Sequence, residues 1–221
     1  MLRRCGGDHD ITSEIHRRTF DHPEVYDFVD VSQNNHQRGE KHWDQFIRAR
    51  HYLAAHPRPI NTTKTYGATG DRFGSDQDGI ERFWRHLLAG AASIRFHRPA
   101  AGLGLQDKAV ASIRGARKLE WQMPLWTLEP ANDLLSLHRP DHAYLSAHRG
   151  RALALYLPVG GGVRVDLSSV NEPLVVRWIE IASGDWGPEE LIQGGGKVYL
   201  KSPGSGNWAA AITVRNGGKV D

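Results

Sequence analysis

The first half of the chain alternates between short β-rich runs and segments with helical hydrophobic spacing. The β-rich runs are 26–31, 59–66 and 90–97, and the helical patterns cover 43–55, 80–88 and 109–121. Apolar residues of the first helical pattern, Trp43, Phe46 and Ile47, recur on one face. Strands that alternate with helices predict an α/β fold in which crossover helices connect the strands of a parallel sheet.

The second half of the chain has a different pattern. Short runs of alternating polarity cover 144–147, 151–157, 163–167, 174–181, 197–200 and 208–214. Clusters rich in Gly, Pro, Asn and Asp separate them, which predicts a small antiparallel β-sandwich. The glycine runs 160–162 and 194–196 follow no strand that opens a helix. We therefore interpret them as hairpin turns and not as phosphate-binding loops.

The two patterns predict the domain organisation. Residues 1–24 have no apolar period and end at His22-Pro23, so they are expected to form an irregular lead-in. Residues 25–126 form the α/β part, and residues 137–216 form the all-β domain. Three parallel strands are too few for a closed barrel, because a complete (β/α)8 barrel takes about 250 residues. An open three-stranded layer would leave an edge of its sheet uncovered.

Composition and charge exclude several classes of protein. The net charge is +3 on 221 residues, with both signs mixed and no block of like charge, so no nucleic-acid partner is predicted. The chain shows no apolar run of about 18 residues and no signal-peptide core, so no membrane segment is predicted. The single cysteine, Cys5, excludes an intrachain disulfide and a cysteine zinc site. The twelve histidines lack the spacing of zinc hydrolases, and neither a metal nor a cofactor is predicted.

Several short motifs occur in an order known from one enzyme family. They are Gln33-Asn34-Asn35-His36, Arg58-Pro59-Ile60-Asn61, Phe83-Trp84 with Gly90-Ala91-Ala92, and Leu125-Trp126-Thr127-Leu128-Glu129-Pro130. In this order they resemble the C-terminal part of the TIM barrel of apiosidase-like glycoside hydrolases. The resemblance implies that the three β-rich runs correspond to strands six, seven and eight of a (β/α)8 barrel. The chain would then be a fragment of a carbohydrate-active protein that acts on polysaccharide side chains.

The all-β part has a resemblance of its own. Its matching segments are 154–158, 163–167 and 176–179, followed by Pro203 and Asn207-Trp208. They are similar to the β-sandwich named for collagen binding in a collagenase, although the sequence itself does not support collagen as a partner. Members of the resembled family are usually exported, whereas this chain shows no signal peptide.

The resemblance also bears on catalysis. Glycoside hydrolysis uses two carboxylates, which this family takes from barrel strands four and seven. Strand four has no counterpart in this sequence, and Lys64 occupies the position of the strand-seven glutamate. Because a protonated lysine cannot act as that nucleophile, the catalytic residues are unknown and the chain alone is expected to be inactive.

Polar residues at the ends of the predicted strands are the substrate-binding candidates. They are Asn35, His36, Lys64, Tyr66, Asp71, His97 and Arg98. Carboxyl ends of barrel strands carry the active sites of this fold, and an arginine such as Arg98 binds carboxylates as a bidentate fork. Structural polar contacts are the alternative. For Asp71, Asp76 and Asp78 the alternative is helix capping ahead of Glu81.

Two function hypotheses remain open beside an unrelated function. The first is a glycoside hydrolase-like fragment whose parent hydrolyses or binds polysaccharide. The second is a non-catalytic module whose β-sandwich binds glycan or protein. Trp178, Trp186 and Trp208 could form a sugar platform on this sandwich, or they could belong to its core.

Overall fold

The computed structural model describes residues 14–31, 37–68, 70 and 72–215. The chain divides into two compact units, residues 1–106 and residues 107–221. β-sheet dominates the structure, and each unit contains its own sheet system. No described helix combines the length and the apolar character that crossing a membrane requires.

The first unit is built from alternating helices and strands. In chain order they are α1 (Glu14–Asp21), β1 (Val29–Asp30), α2 (Gly39–Tyr52), β2 (Ile60–Thr65), α3 (Asp76–Leu88) and β3 (Ser93–Phe96). The strands form a parallel sheet in the order β1-β2-β3, with Val29 opposite Ile60 and Asn61 opposite Ser93. This confirms the predicted parallel sheet with crossover helices. Among the described residues the sheet is open, with β1 and β3 at its edges.

The expectation that residues 1–24 are irregular is wrong for α1. Phe20 at the end of this helix is 5% exposed, and its ring meets Tyr52 edge-on at a centroid distance of 5.6 Å. The Arg58 guanidinium donates through Nη2 to the carbonyls of Thr19 and Phe20, at 2.5 and 2.8 Å. The last carbonyls of a helix generally lack an intrahelical donor, and Arg58 supplies one here. Tertiary contacts therefore stabilise a helix whose own sequence lacks an apolar period.

Helix α3 covers one face of the parallel sheet. Its Phe83 stacks on Phe96 of β3 at 4.8 Å, and Val29 and Ile60 are buried on the same face. The helix begins with a capping box, in which the Ser75 hydroxyl accepts from the Asp78 N–H and the Asp78 carboxylate accepts from the Ser75 N–H. The cap extends the helix four residues before the predicted start at 80.

The second unit begins with a helix and continues as antiparallel strands. They are α4 (Asp107–Gln122), β4 (Glu129–Pro130), β5 (Leu135–Ser136), β6 (Tyr144–His148), β7 (Ala152–Leu157), β8 (Gly160–Asp166), β9 (Pro173–Glu180), β10 (Asp185–Gln193), β11 (Lys197–Ser205) and β12 (Trp208–Val214). The strands form a six-stranded sheet, β10-β9-β12-β7-β6-β4, and a three-stranded sheet, β11-β8-β5. Side chains of both sheets share one apolar core that includes Leu155, Val163 and Leu200.

Two details of this unit differ from the sequence-based expectation. The runs 160–162 and 194–196 are not hairpin turns between paired strands. Each lies where the chain passes from the six-stranded to the three-stranded sheet, and Gly160–Gly162 already belongs to β8. Strand β10 was not predicted, because it is an edge strand without a buried residue and therefore shows no alternation of polarity.

A pair of buried histidines lies between α2 and α3. The rings of His42 and His86 are 4.3 Å apart, and both side chains are almost fully buried. Burial lowers the pKa of His86 to about 3, and the nearby Arg85 and Arg82 act in the same direction. Burial, followed by the charges of His86 and Arg85, also holds the pKa of His42 well below its ordinary value. Both rings are therefore neutral in the folded protein at neutral pH.

This pair predicts acid sensitivity of the first unit. In the unfolded chain the histidines titrate near pH 6.5, so the unfolded state binds more protons than the folded state below that pH. Stability is therefore lost as the pH falls from about 6.5 towards 3, by up to about 1.4 kcal/mol per pH unit for each histidine. Urea unfolding monitored by circular dichroism at pH 7, 6 and 5 measures this slope.

The matched variants separate the histidine pair from other titrating groups. The double substitution His42→Gln/His86→Gln is expected to flatten the slope. His51→Gln, at an exposed position of α2, is expected to keep the wild-type slope. Equal slopes for all three proteins would contradict the assignment.

Candidate functional site

The face of the parallel sheet opposite α3 is polar. A row of Asp30, Asn61 and Ser93 crosses the three strands in register. The Ser93 hydroxyl donates to Asn61 Oδ1 at 2.9 Å. Because side chains alternate between the faces of a strand, this row lies opposite the buried residues Val29 and Ile60. A carboxylate, an amide and a hydroxyl therefore stand side by side on this face.

The pairing of β2 with β3 is irregular between Thr62 and Thr65, after the polar row. Thr62 pairs with Ile94 and Thr65 pairs with Phe96, so two residues of β2, Thr63 and Lys64, oppose the single residue Arg95. Such a bulge re-aims side chains and increases local twist. Lys64 is half-buried and Arg95 is exposed. The bulge therefore brings two cations to neighbouring positions of the sheet.

Aromatic side chains close the carboxyl end of the sheet. The Tyr66 ring meets His97 edge-on at 5.1 Å and stacks on Phe73 at 5.4 Å, and the Arg72 guanidinium lies 4.6 Å above Phe73. The His97 N–H donates to the Thr65 carbonyl at 3.0 Å, which continues the ladder past the end of β3. Tyr66 and His97, both predicted from the sequence, are therefore direct neighbours.

The remaining predicted residues have different outcomes. Asn35, His36 and Asp71 lie outside the described residues. Arg98 is exposed and begins the turn after β3, where its carbonyl accepts from the N–H groups of Ala101 and Gly102. Asp78 caps α3, as the capping alternative predicted.

The loop after β2 packs closely on the first turn of α3. At Gly67, with φ of +131°, an added Cβ would lie 2.5 Å from Gly79 Cα. At Gly79 it would lie 2.8 Å from the Gly67 carbonyl oxygen. Neither position tolerates a side chain, since the backbones themselves are in contact. This contact fixes the loop that carries Phe73.

A buried arginine holds the loops at the carboxyl end together. Arg82 of α3 is 2% exposed, and its Nη1 donates to the carbonyls of Tyr66 and Phe73 at 2.9 and 3.0 Å. Its Nε donates to the Gln37 carbonyl at 3.3 Å. One guanidinium thus connects the loop after β1 with the loop after β2. No sequence motif marked Arg82, although an arginine inside the apolar run of α3 was visible.

The charges around Arg82 are balanced by Asp78. Burial lowers the pKa of Arg82 to about 10, against the opposing influence of Asp78, so the guanidinium stays charged at neutral pH. Burial alone would raise the pKa of Asp78. The hydrogen bonds from Ser75, together with Arg82 and Arg38, nevertheless bring it below its usual value. The Arg38 Nε lies 2.9 Å from Asp78 Oδ1.

Asp30 is a functional candidate that sequence reasoning missed. It is the only acid in the three strands. Its buried Oδ1 has no hydrogen-bond partner among the described residues, and burial raises the pKa of its carboxyl. A polar residue between Val29 and Val31, both buried, was the available signal. A carboxyl with a raised pKa suits general acid catalysis.

Among the described residues, the three strands carry one carboxyl group and two cations. Glycoside hydrolysis needs a second carboxylate at a defined distance from the first, and the strands of this sheet carry only Asp30. The cations Lys64 and Arg95 suit binding of hydroxyl or carboxylate groups. In the described part of the chain, no group of three His, Cys, Asp or Glu side chains could hold a metal ion.

Of the two alternatives for the tryptophans of the second unit, the core position is confirmed for two of the three. Trp178 and Trp208 are 2% and 8% exposed, and they meet edge-on at 6.4 Å inside the core. Trp178 Nε1 donates to Glu190 Oε1 at 3.1 Å, so its polar group is satisfied. Trp186 is half-buried, with the Arg177 guanidinium 4.8 Å above its ring.

Comparison with known proteins gives the fold. No protein-family model matches the sequence, and no curated protein matches it. Among solved structures, one described as a glycoside hydrolase has a TM-score of 0.65 at 12% identity, over 90% of this chain and 55% of that chain. A glycoside hydrolase family 5 structure from Bacteroides vulgatus ATCC 8482 has a TM-score of 0.63 at 14% identity, over 88% and 51%. The chain has a glycoside hydrolase-like fold and spans about half the length of these structures.

The Arg82 network predicts a large loss of stability when the guanidinium is removed. Arg82→Leu leaves three carbonyls without their donor and Asp78 without a nearby positive charge. We expect a loss of about 3 kcal/mol in the free energy of unfolding. Arg48→Leu, at an exposed position of α2, is the matched control and should change stability by less than about 0.5 kcal/mol. Urea titration measures both values. Similar losses for the two variants would show that the network is unimportant.

The environment of Asp30 predicts that removing its charge stabilises the fold. Burial raises its pKa, so the folded state loses stability as the pH rises through that pKa. Asp30→Asn should therefore raise the melting temperature at pH 7, and the gain should shrink as the pH falls towards 4. Asp44→Asn, on the exposed side of α2, should give no such gain. A lower melting temperature for Asp30→Asn at pH 7 would refute the assignment.

Proposed function

We propose that this chain is the C-terminal part of an apiosidase-like glycoside hydrolase. In this proposal residues 25–126 provide the last three strand-helix units of a (β/α)8 barrel. Residues 137–216 provide the β-sandwich that resembles the domain named for collagen binding in a collagenase. The observation that carries the proposal is the polar face of the parallel sheet, centred on Asp30, Asn61 and Ser93.

The two faces of the sheet support this assignment. In a (β/α)8 barrel the outer face of the strands packs against helices, and the inner face carries the residues of the active site towards the carboxyl ends. Here the buried face packs against α3. The polar row crosses the opposite face at the start of β2 and β3, where Asn61 and Ser93 lie, and the cations Lys64 and Arg95 follow towards the carboxyl ends. Oδ1 of Asp30 is buried without a hydrogen-bond partner among the described residues, and such perturbed carboxyl groups cluster at active sites.

The proposed substrate class is carbohydrate, in the form of polysaccharide side chains. Support comes from the glycoside hydrolase-like fold. Asn35, His36, Lys64, Tyr66, Asp71, His97 and Arg98 are the proposed substrate contacts of the parent protein. Asp30 is added to these residues as a candidate general acid, because burial raises the pKa of its carboxyl. With Lys64 at the position of the strand-seven glutamate, the chain alone is proposed to be inactive.

A second candidate function is a glycan-binding module that needs no catalysis. The observation that favours it is in the second unit, where Tyr199 is 55% exposed on the outer surface of the three-stranded sheet. In this alternative the parallel sheet has a structural role, and the β-strand unit binds the ligand.

Activity measurements test the first proposal. The purified chain is assayed with 4-nitrophenyl glycosides and with plant polysaccharides in a reducing-sugar assay, and Asp30→Asn serves as the matched blank. We expect equal signals from both proteins, because one carboxylate cannot both protonate the leaving group and attack the sugar. Turnover by the chain that Asp30→Asn abolishes would overturn the proposed inactivity.

The coding sequence upstream of Met1 tests the relation to a barrel. We expect five further strand-helix units with a carboxylate at the end of the fourth strand, and an extended chain that hydrolyses glycosides. An upstream sequence without such units would refute the proposed parent and leave the binding module as the function.

A further inference from the structure

The outer face of the three-stranded sheet combines one aromatic ring with several cations. Val163, Val165 and Leu200 point into the core, so the alternate residues of each strand face outward. These outward residues are Ser136 of β5, Gly162, Arg164 and Asp166 of β8, and Lys197, Tyr199 and Lys201 of β11. We call this surface the Tyr199 face.

Gly162 determines how the Tyr199 ring lies. Tyr199 pairs with Arg164 across the strands, and Lys201 pairs with Gly162. A Cβ added to Gly162 would overlap the Tyr199 hydroxyl and lie 2.5 Å from its Cζ. The tyrosine therefore leans diagonally over β8 and fills the space of the missing side chain. One face of the ring rests on the sheet and the other faces solvent, with 55% of the side chain exposed.

The charges on this face favour an anionic ligand. Arg164, Lys197 and Lys201 are opposed by the single carboxylate of Asp166, which lies 4.0 Å from Lys197 Nζ. Arg164 and Lys201 have no hydrogen-bond or ion-pair partner among the described residues. A guanidinium beside a flat aromatic ring can accept a carboxylate as a bidentate pair.

We propose that the Tyr199 face binds an acidic polysaccharide, with one sugar ring stacked on Tyr199 and a uronate carboxylate paired with Arg164. The choice of carbohydrate as the ligand class rests on the proposed function. The preference for acidic sugars follows from the three cations of this face. Single-stranded nucleic acid is less suited, because its binding surfaces stack successive bases on several aromatic rings. The seven outward residues of this face include only one.

The experiment uses the full chain and two forms of one polymer. Affinity gel electrophoresis compares polygalacturonic acid with its highly methyl-esterified form, which has the same sugar without the charge. We expect retardation by the acid form, and at least about tenfold weaker retardation by the ester, because the carboxylate pairs are lost. Retardation by the acid form should weaken as salt is added.

Four variants assign the binding to this face. Tyr199→Ala and Arg164→Gln should each weaken binding by about tenfold. Gly162→Ala should weaken it as well, because the added Cβ lifts the ring while every charge remains. Arg139→Gln, at an exposed arginine outside this face, should bind like the wild type. Circular dichroism melting curves verify that each variant is folded.

The outcomes separate this proposal from the proposed function. Equal binding of the ester and the acid form, or binding that Tyr199→Ala leaves unchanged, would overturn the acidic-glycan site. Neither result would touch the glycoside hydrolase assignment, which the upstream sequence and the activity assay test. Tighter, Tyr199-dependent retardation by poly(dT) than by polygalacturonic acid would overturn the proposal in favour of nucleic acid.

Discussion

A three-stranded parallel sheet packs one face against the helices that connect its strands, and this constraint organises the first unit. Phe83 of α3 stacks on Phe96, and Val29 and Ile60 are buried on the same face. Since side chains alternate, burying these residues places Asp30, Asn61 and Ser93 together on the opposite face. The register that buries Val29 and Ile60 therefore also places the polar residues in one row on the opposite face.

Arg82 holds together the loops at the carboxyl end of the sheet. A buried guanidinium is costly unless its donors are satisfied, and here the satisfying groups are the carbonyls of Gln37, Tyr66 and Phe73. The hydrogen bonds that satisfy the donors of Arg82 also hold the loops after β1 and β2 in place. Loops that extend from parallel strands carry the function in α/β folds, so the stability of this unit and the geometry of its candidate site depend on one side chain.

The sequence predicted the helices and strands in which buried and exposed positions differ clearly in polarity. Strand β12, Trp208–Val214, was predicted with its observed ends, because its neighbours on both sides bury it. Strand β10 lies at an edge without a buried residue, so its sequence shows no alternation. The bulge at Lys64 was not visible either, since register depends on the partner strand. The resemblance located the carboxyl end of the sheet, but the position of Asp30 within the polar row needed the structure.

The two polar surfaces differ in the burial of their charged groups. Oδ1 of Asp30 is buried and has no hydrogen-bond partner among the described residues, and burial raises the pKa of this carboxyl. On the Tyr199 face, Lys197 and Lys201 are exposed and Arg164 is half-buried, and an exposed charge costs little free energy. Each unit has a core of its own. The proposed catalytic carboxyl therefore lies on a strand of the first unit, and the proposed glycan-binding surface lies on strands of the second.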